Sequence, residues 1–227
     1  MNSKRKIVIF IGPPGAGKGS LSNLCVEQLK WVQLSTGNLC RKHIAEKTSI
    51  GLQIDTAIKA GELVSDQLIV AMVDSWLLDQ QSHTILDGYP RTVSQAQALK
   101  NLVSSKLPST DLAIVKLAIS NEKIVARLSA RMICSDKECQ AVYSTIRGSL
   151  LEPHNVTECN KCTGALMRRS DDEPTAIQER LKTYYKHEKD LLDYYMNAGL
   201  SVKNLQVEKP LKDVFNELKQ ILGLHQS

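Results

Sequence analysis

Short apolar segments recur along the chain, with amphipathic helical stretches between them. They are Ile7 to Ile11, Val32 to Ser35, Thr84 to Asp87, Leu112 to Ile119 and Ser201 to Val207. Nearly continuous apolar strands that alternate with helices are typical of a parallel sheet covered on both faces. The pattern therefore predicts an α/β fold, with ligands beyond the carboxyl ends of the strands.

Two segments interrupt this alternation. Residues 36–66 look helical, with Gly51 and Gly61 as breaks, and predict a small insert. Residues of about 131–170 contain cysteines and glycines but few long apolar runs, and predict a second insert. A helix is expected to resume at Pro174, because proline suits the first turn of a helix and acidic residues precede it.

A glycine-rich turn follows the first strand. Residues 12–20 read Gly-Pro-Pro-Gly-Ala-Gly-Lys-Gly-Ser. Such a turn points backbone N–H groups inward above a helix N-terminus, which makes a cradle for phosphate, and Lys18 adds a positive charge. The common pattern has a hydroxyl residue directly after the lysine, whereas Gly19 stands there and Ser20 follows. The turn predicts a nucleoside triphosphate as ligand.

Composition narrows the class of protein. A chain of 227 residues with 42% hydrophobic residues fits one core with insertions. The net charge is +5, but only 4% of residues are aromatic, too few for a platform on which bases stack. The positive charge is better interpreted as arginines gathered around phosphates.

The beginning of the chain is basic and then apolar, as in a signal peptide. The apolar stretch is too short for one, because Gly12 and Pro13 end it. No run approaches the length of a membrane span. We therefore expect a cytoplasmic protein with no membrane partner.

Four of the six cysteines lie in the second insert. Cys134-x4-Cys139 is followed, after nineteen residues, by Cys159-x2-Cys162. Four thiolates from two such pairs are a typical zinc site, and four protein ligands leave no open position for catalysis. The spacing predicts a structural zinc. Two alternatives stay open: four free thiols, or a single pair in which His154 replaces a cysteine.

Three further segments stand at or near the strand ends: Ser35 to Arg41, Gly61 to Asp66, and Asp87 to Thr92 with Gln95. Together with the phosphate loop, they resemble the adenylate kinases in order and spacing over essentially the whole chain. The resemblance implies a P-loop three-layer fold with a five-stranded parallel sheet. Its core would be residues 1–35, 67–130 and 171–227, with an AMP-binding insert at 36–66 and a zinc-bearing lid at 131–170.

The resemblance also implies roles for individual residues. The ATP-binding set is Gly15, Ala16, Gly17, Lys18, Gly19, Ser20, Arg127, Val142, Tyr143 and Lys209. The AMP-binding set is Thr36, Arg41, Glu62, Leu63, Val64, Gly88, Tyr89, Pro90, Arg91, Gln95, Arg169 and Arg180. The catalytic set is Lys18, Arg91, Arg131, Arg169 and Arg180, and Asp87 would hold Mg²⁺ through water.

Physical chemistry supports so many arginines. Two nucleotides that meet end to end repel each other through their phosphates, and arginine stays charged and matches planar pairs of oxygens. The acceptor is already an anionic phosphate oxygen, so no general base is required. The implied reaction is reversible Mg²⁺-dependent transfer from ATP to AMP, giving two ADP, by a monomer without nucleic-acid partners.

Two alternatives remain at this stage. One is a kinase for another nucleoside monophosphate, since base choice depends on few contacts. The other is a degraded kinase whose cysteine segment binds nucleic acid or a protein. The chain also departs from the family's pattern, because Asn38 stands where an aspartate is usual, Ser65 replaces a proline, and no glycine adjoins Lys209.

Overall fold

The computed structural model describes residues 4–59, 64–136 and 138–224. The strands are β1 (Arg5–Ile11), β2 (Val32–Ser35), β3 (Thr84–Asp87), β4 (Thr110–Ala118), β5 (Arg131–Cys134), β6 (Val142–Ser144), β7 (Leu166–Met167) and β8 (Val202–Gln206). The helices are α1 (Lys18–Leu29), α2 (Thr36–Ala45), α3 (Ser49–Lys59), α4 (Asp66–Leu78), α5 (Val93–Lys106), α6 (Asn121–Ser129), α7 (Pro174–Asn197) and α8 (Leu211–Ile221). A short 3-10 helix, Ser170–Asp172, precedes α7.

The five apolar segments form one parallel sheet in the order β2-β3-β1-β4-β8. In register, Ile9 of β1 lies beside Leu86 of β3 and beside Ile114 of β4, and all three are buried. Strands buried on both faces consist largely of apolar residues, which is why the sequence pattern located them. The predicted α/β fold with a five-stranded parallel sheet is confirmed.

The chain divides into two compact units. Unit 1 comprises Met1–Ile11, Ser22–Lys116 and His187–Asn204. Its core joins β1 to residues of α4, α5 and α7, with Tyr89 and Tyr195 almost fully buried in it.

Unit 2 comprises Gly12–Leu21, Leu117–Lys186 and Leu205–Ser227. It contains a second, antiparallel sheet of three strands in the order β6-β5-β7. Residues of α6 and α7 bury Ile124, Leu128 and Ile177 against one another. A separate cluster packs Tyr143 against Cys134 and Cys159.

The sequence pattern predicted a helix break at Gly51, but the structure shows none there. Gly51 lies inside α3, and the turn between α2 and α3 falls at residues 46–48. A Cβ at Gly51 would lie 1.9 Å from the carbonyl oxygen of His43 in α2. The glycine therefore lets two helix backbones touch. The second expected break, Gly61, lies outside the described residues.

None of the helices in the part of the chain that the structure describes is both long enough and apolar enough to cross a membrane.

Candidate functional site

The phosphate loop links β1 to α1 and belongs to unit 2. Gly15 and Gly17 have φ angles of +81° and +91°, which glycine adopts without strain. A Cβ at Gly15 would come within 2.9 Å of the Leu128 side chain, so the loop also packs closely on α6. Lys18 donates hydrogen bonds from Nζ to the carbonyl oxygens of Gly12, at 2.6 Å, and of Pro13, at 3.0 Å. The Lys18 ammonium thus lies against the loop in which it was predicted to bind phosphate.

Arg127 extends from α6 to the same loop. Its guanidinium donates to the carbonyl oxygen of Ala16, at 3.3 Å, and to that of Val207 just after β8. Burial lowers the pKa of Arg127, and the charge of Glu208 opposes that shift. Arg127 therefore links the phosphate loop to the segment that contains Lys209, whose own ammonium contacts Glu217.

The arginines Arg131, Arg169 and Arg180 meet at two carboxylates. Arg131 donates from Nε to Asp172 Oδ2 at 2.7 Å, and its Nη2 also contacts Asp172. Arg169 Nε lies 2.9 Å from Asp171 Oδ1. Arg180 Nη1 lies 3.1 Å from Asp171 and 3.3 Å from Asp172. Like charges this close repel strongly unless anions lie among them, so the aspartates let the arginines gather.

This cluster has three guanidinium groups and two carboxylates, which leaves an excess of positive charge. The Asp172 side chain is only 4% exposed. Burial lowers the pKa of Arg180, and the carboxylates of Asp171 and Asp172 oppose that shift. A multiply charged phosphate group is the ligand that such a cluster can bind in bidentate fashion.

Unit 1 contains the residues predicted to bind the acceptor phosphate. Gly88 follows β3 with a φ angle of +82°, and its carbonyl oxygen accepts hydrogen bonds from Arg91 Nε, at 2.9 Å, and from Thr36 Oγ1, at 3.1 Å. A Cβ at Gly88 would lie 3.0 Å from Arg91 Nη2. The glycine therefore keeps space beside an exposed guanidinium.

Gln95 is 5% exposed and lies below this turn, in the first turn of α5. Its Oε1 accepts from the backbone N–H of Arg91 at 2.8 Å, and its Nε2 donates to Asp66 Oδ1 at 2.7 Å. Thr92, the N-cap of α5, donates to the other oxygen of Asp66 at 2.6 Å. Tyr89 is buried beside them and donates to the Gln95 carbonyl oxygen at 3.2 Å. The first residue of α4 thus joins the start of α5.

The remaining predicted residues of unit 1 are placed as follows. Arg41 is exposed in α2 and donates to the side-chain oxygen of Asn38, a neutral partner. Asp87 ends β3 in register with Phe10 of β1. Val64 precedes α4, and Pro90 is buried. Glu62 and Leu63 lie outside the described residues.

The four clustered cysteines converge in unit 2. Their sulfur atoms all lie within 4.8 Å of one another, with Cys134 and Cys162 at 3.3 Å and Cys139 and Cys159 at 3.7 Å. The Lys161 backbone N–H points at Cys159 Sγ, at 3.4 Å. Four convergent sulfurs fit the tetrahedral preference of zinc, and an N–H directed at a sulfur stabilises its thiolate form.

Tyr143 belongs to the same cluster. Its hydroxyl lies 3.2 Å from Cys159 Sγ and accepts from the backbone N–H of Asn160 at 2.9 Å. Burial raises the pKa of Tyr143 to about 12, so its hydroxyl stays protonated beside the sulfur. The side chain faces the cysteines, while its predicted neighbour in ATP binding, Val142, lies beside it in β6.

Comparison with known proteins identifies the family. The family model described as adenylate kinase matches residues 10–200. The chain is 34% identical to an adenylate kinase of Clostridium tetani, covering 95% of this chain and 98% of that protein. It is 39% identical to an adenylate kinase of Treponema denticola, covering 86% of this chain and 88% of that protein. It is 36% identical to an adenylate kinase of Methanosarcina acetivorans, covering 95% of this chain and 98% of that protein.

The chain belongs to the adenylate kinase family. As a member, it is a nucleoside monophosphate kinase. The family resemblance found in the sequence is confirmed, and the two alternative functions are not favoured. Members of the adenylate kinase family use Mg²⁺ with ATP.

Sequence reasoning did not single out Asp66, Asp171 or Asp172 as site residues. The acidic pair before Pro174 was interpreted only as favourable to the helix N-terminus. A signal was present, because Asp171 and Asp172 come just two and three residues after Arg169. An acid pair that close to an arginine in a phosphate-binding protein is a candidate partner for it.

Two residues of the cysteine segment have a backbone conformation that suits glycine. Gln140 follows Cys139 with φ of +46°, and Thr163 follows Cys162 with φ of +60°. A β-branched side chain is strained there. We expect Thr163→Gly to raise the free energy of unfolding by about 1 kcal/mol, measured by urea denaturation. Thr157→Gly in the same segment is the matched control, and it should lower stability; a loss in both variants would contradict the prediction.

Proposed function

We propose that this chain is an ATP:AMP phosphotransferase that forms two ADP reversibly. The observation that carries the proposal is the group of three arginines held by Asp171 and Asp172. Those arginines and the phosphate loop belong to the same compact unit. Their excess positive charge suits a phosphoryl group in transfer, whose charge is spread over several oxygens.

On the donor side, the loop from Gly15 to Ser20 would hold the phosphates of ATP, and Lys18 would turn from its own loop carbonyls toward them. Arg127 lies against the loop at Ala16 and would contact the donor nucleotide with Val142, Tyr143 and Lys209. Asp87 would hold Mg²⁺ through water, and the bound ion would neutralise phosphate charge.

On the acceptor side, Arg91 and Arg41 would grip the phosphate of AMP. Both guanidinium groups are exposed, and each has a neutral oxygen as hydrogen-bond partner, Gly88 O for Arg91 and Asn38 Oδ1 for Arg41. Thr36, Leu63, Val64 and Gln95 would line the pocket for the base. The acceptor oxygen is already anionic, so the site needs no general base.

A coupled assay with ATP, Mg²⁺ and each of AMP, CMP, UMP and GMP tests this function. We expect ADP formation with AMP to be much faster than with the other three. Faster turnover of another monophosphate would identify a different kinase. Salt-dependent nucleic-acid binding without any turnover would contradict the proposal altogether.

The four cysteines would hold a structural zinc ion, which would stabilise the segment from Arg131 to Ser170 that we propose as the lid. Purified protein should contain about one zinc ion per chain. Cys139→Ser should remove the metal and lower the melting temperature. Cys40→Ser, at a half-buried cysteine outside the cluster, should retain it. Equal metal content in both variants would argue against the site.

The domain limits predicted from the sequence remain part of the proposal: a core of 1–35, 67–130 and 171–227, an AMP-binding insert of 36–66 and a lid of 131–170. We propose that the protein acts as a monomer. A cluster of thiols that binds zinc is typical of a reducing compartment, which supports the predicted location in the cytoplasm.

A further inference from the structure

The side-chain amide of Gln95 is held in one orientation by its neighbours. Its Oε1 accepts from the Arg91 backbone N–H at 2.8 Å, and its Nε2 donates to Asp66 Oδ1 at 2.7 Å. A backbone N–H only donates and a carboxylate only accepts. Rotating the amide by half a turn would place oxygen against oxygen at Asp66 and N–H against N–H at Arg91.

Asp66 is itself fixed in place. Its second oxygen accepts from Thr92 Oγ1 at 2.6 Å, and Thr92 Oγ1 accepts from the Gln95 backbone N–H at 3.2 Å. Asp66 begins α4, where a negative charge is favourable. Because Gln95 is 5% exposed, a reversed amide would leave buried polar groups without partners, which is costly.

An ordered amide can distinguish purine bases. After these two contacts, Gln95 retains one N–H and one oxygen lone pair in fixed positions. Adenine presents an acceptor at N1 beside a donor at N6, whereas guanine and hypoxanthine present a donor at N1 beside an acceptor at O6. A glutamine that is free to turn could match either edge, but a fixed one matches only one of them.

We infer that Asp66, together with the backbone N–H of Arg91, determines the base selectivity of the acceptor site by fixing the amide orientation of Gln95. Asp66 is a positioning residue, since it acts through Gln95 and not on the nucleotide. The inference rests on the proposed function, in which Gln95 meets the base of AMP. It adds a source of discrimination between 6-amino and 6-oxo purine monophosphates.

The test is Asp66→Asn, whose amide can donate or accept, so that residue 66 no longer selects an orientation of Gln95 and only the Arg91 backbone N–H still favours the original one. AMP and IMP are the substrates, because IMP has the 6-oxo edge without the 2-amino group of GMP. We expect the AMP-to-IMP ratio of kcat/KM to fall by about tenfold. The change should lie mainly in KM, while KM for ATP stays constant. Asp79→Asn, the same change at the exposed end of α4, should leave the ratio unaltered.

Two further variants keep the test decisive. Asp66→Ser removes the carboxylate that accepts from Gln95 Nε2, so it carries the same expectation if Asp66→Asn fails to fold. In a Gln95→Ala background, the substitution at Asp66 should no longer change the ratio.

The outcomes separate the two proposals. Wild-type AMP phosphorylation with an unchanged ratio in the Asp66 variants would overturn the inference alone. A persistent effect of Asp66→Asn without Gln95 would also overturn it, because Asp66 would then act by another route. A wild-type protein that phosphorylates neither AMP nor IMP would overturn the proposed function and this inference with it.

Discussion

Replacing Arg91 by alanine is expected to lower kcat/KM for AMP by about a thousandfold, the size of effect that a well-placed arginine has in phosphoryl transfer. The guanidinium is exposed beside the turn at Gly88, where its Nε donates to the Gly88 carbonyl oxygen at 2.9 Å. Thr36 donates to the same oxygen, so the fold should tolerate the loss. Steady-state kinetics with AMP as the varied substrate measures the effect.

Arg91→Lys is the control for this experiment. It keeps the charge but loses the planar fork that pairs with two phosphate oxygens. We expect an intermediate loss of kcat/KM for AMP, and a melting temperature close to that of the wild type in both variants. Normal kinetics in Arg91→Ala would remove Arg91 from the catalytic set.

Gly51→Ala is expected to lower the free energy of unfolding by about 3 kcal/mol, the upper end of the typical cost of overpacking, because backbone must move to relieve the contact. The added Cβ would lie 1.9 Å from the carbonyl oxygen of His43, and no rotation of a side chain can relieve that overlap. The turn between α2 and α3 is also joined by a hydrogen bond from the Gly51 N–H to Thr48 Oγ1 at 3.0 Å. Urea denaturation measures the loss.

Gly37→Ala provides the matched control within α2. The atoms nearest to its Cβ would be those of the Arg41 guanidinium, from 3.4 Å, which is ordinary contact with a flexible side chain. Alanine is a better helix former than glycine by up to about 1 kcal/mol, so stability should stay level or rise. Equal losses at both glycines would show that the close approach of α2 and α3 is not what Gly51 serves.

The sequence pattern located the strands closely because the parallel sheet is buried on both faces. The segments Val32 to Ser35 and Thr84 to Asp87 match β2 and β3 residue for residue. The same logic failed at Gly51, because glycine serves both as a helix breaker and as a point of close contact. Only the neighbouring backbone, here His43, distinguishes the two uses.

The sequence predicted the site residues that are expected to contact the ligand. It did not predict the residues that hold those side chains in place. Lys18 and Arg91 stand in recognisable motifs. Asp66 lies 29 residues from Gln95 in the sequence, and Asp172 lies 41 residues from Arg131. Contacts across such separations depend on how the elements pack, which local patterns do not encode.

The ion pair of Arg131 with Asp172 has a consequence for how the family can vary. Arg131 begins β5 and Asp172 precedes α7, so the ion pair holds together the two ends of the chain segment that lies between these residues. Loop-closure entropy rises only slowly with length. Because this ion pair holds the two ends together, the segment between them can be shortened, extended or stabilised by a different cross-link at small cost, while Arg131 keeps its position.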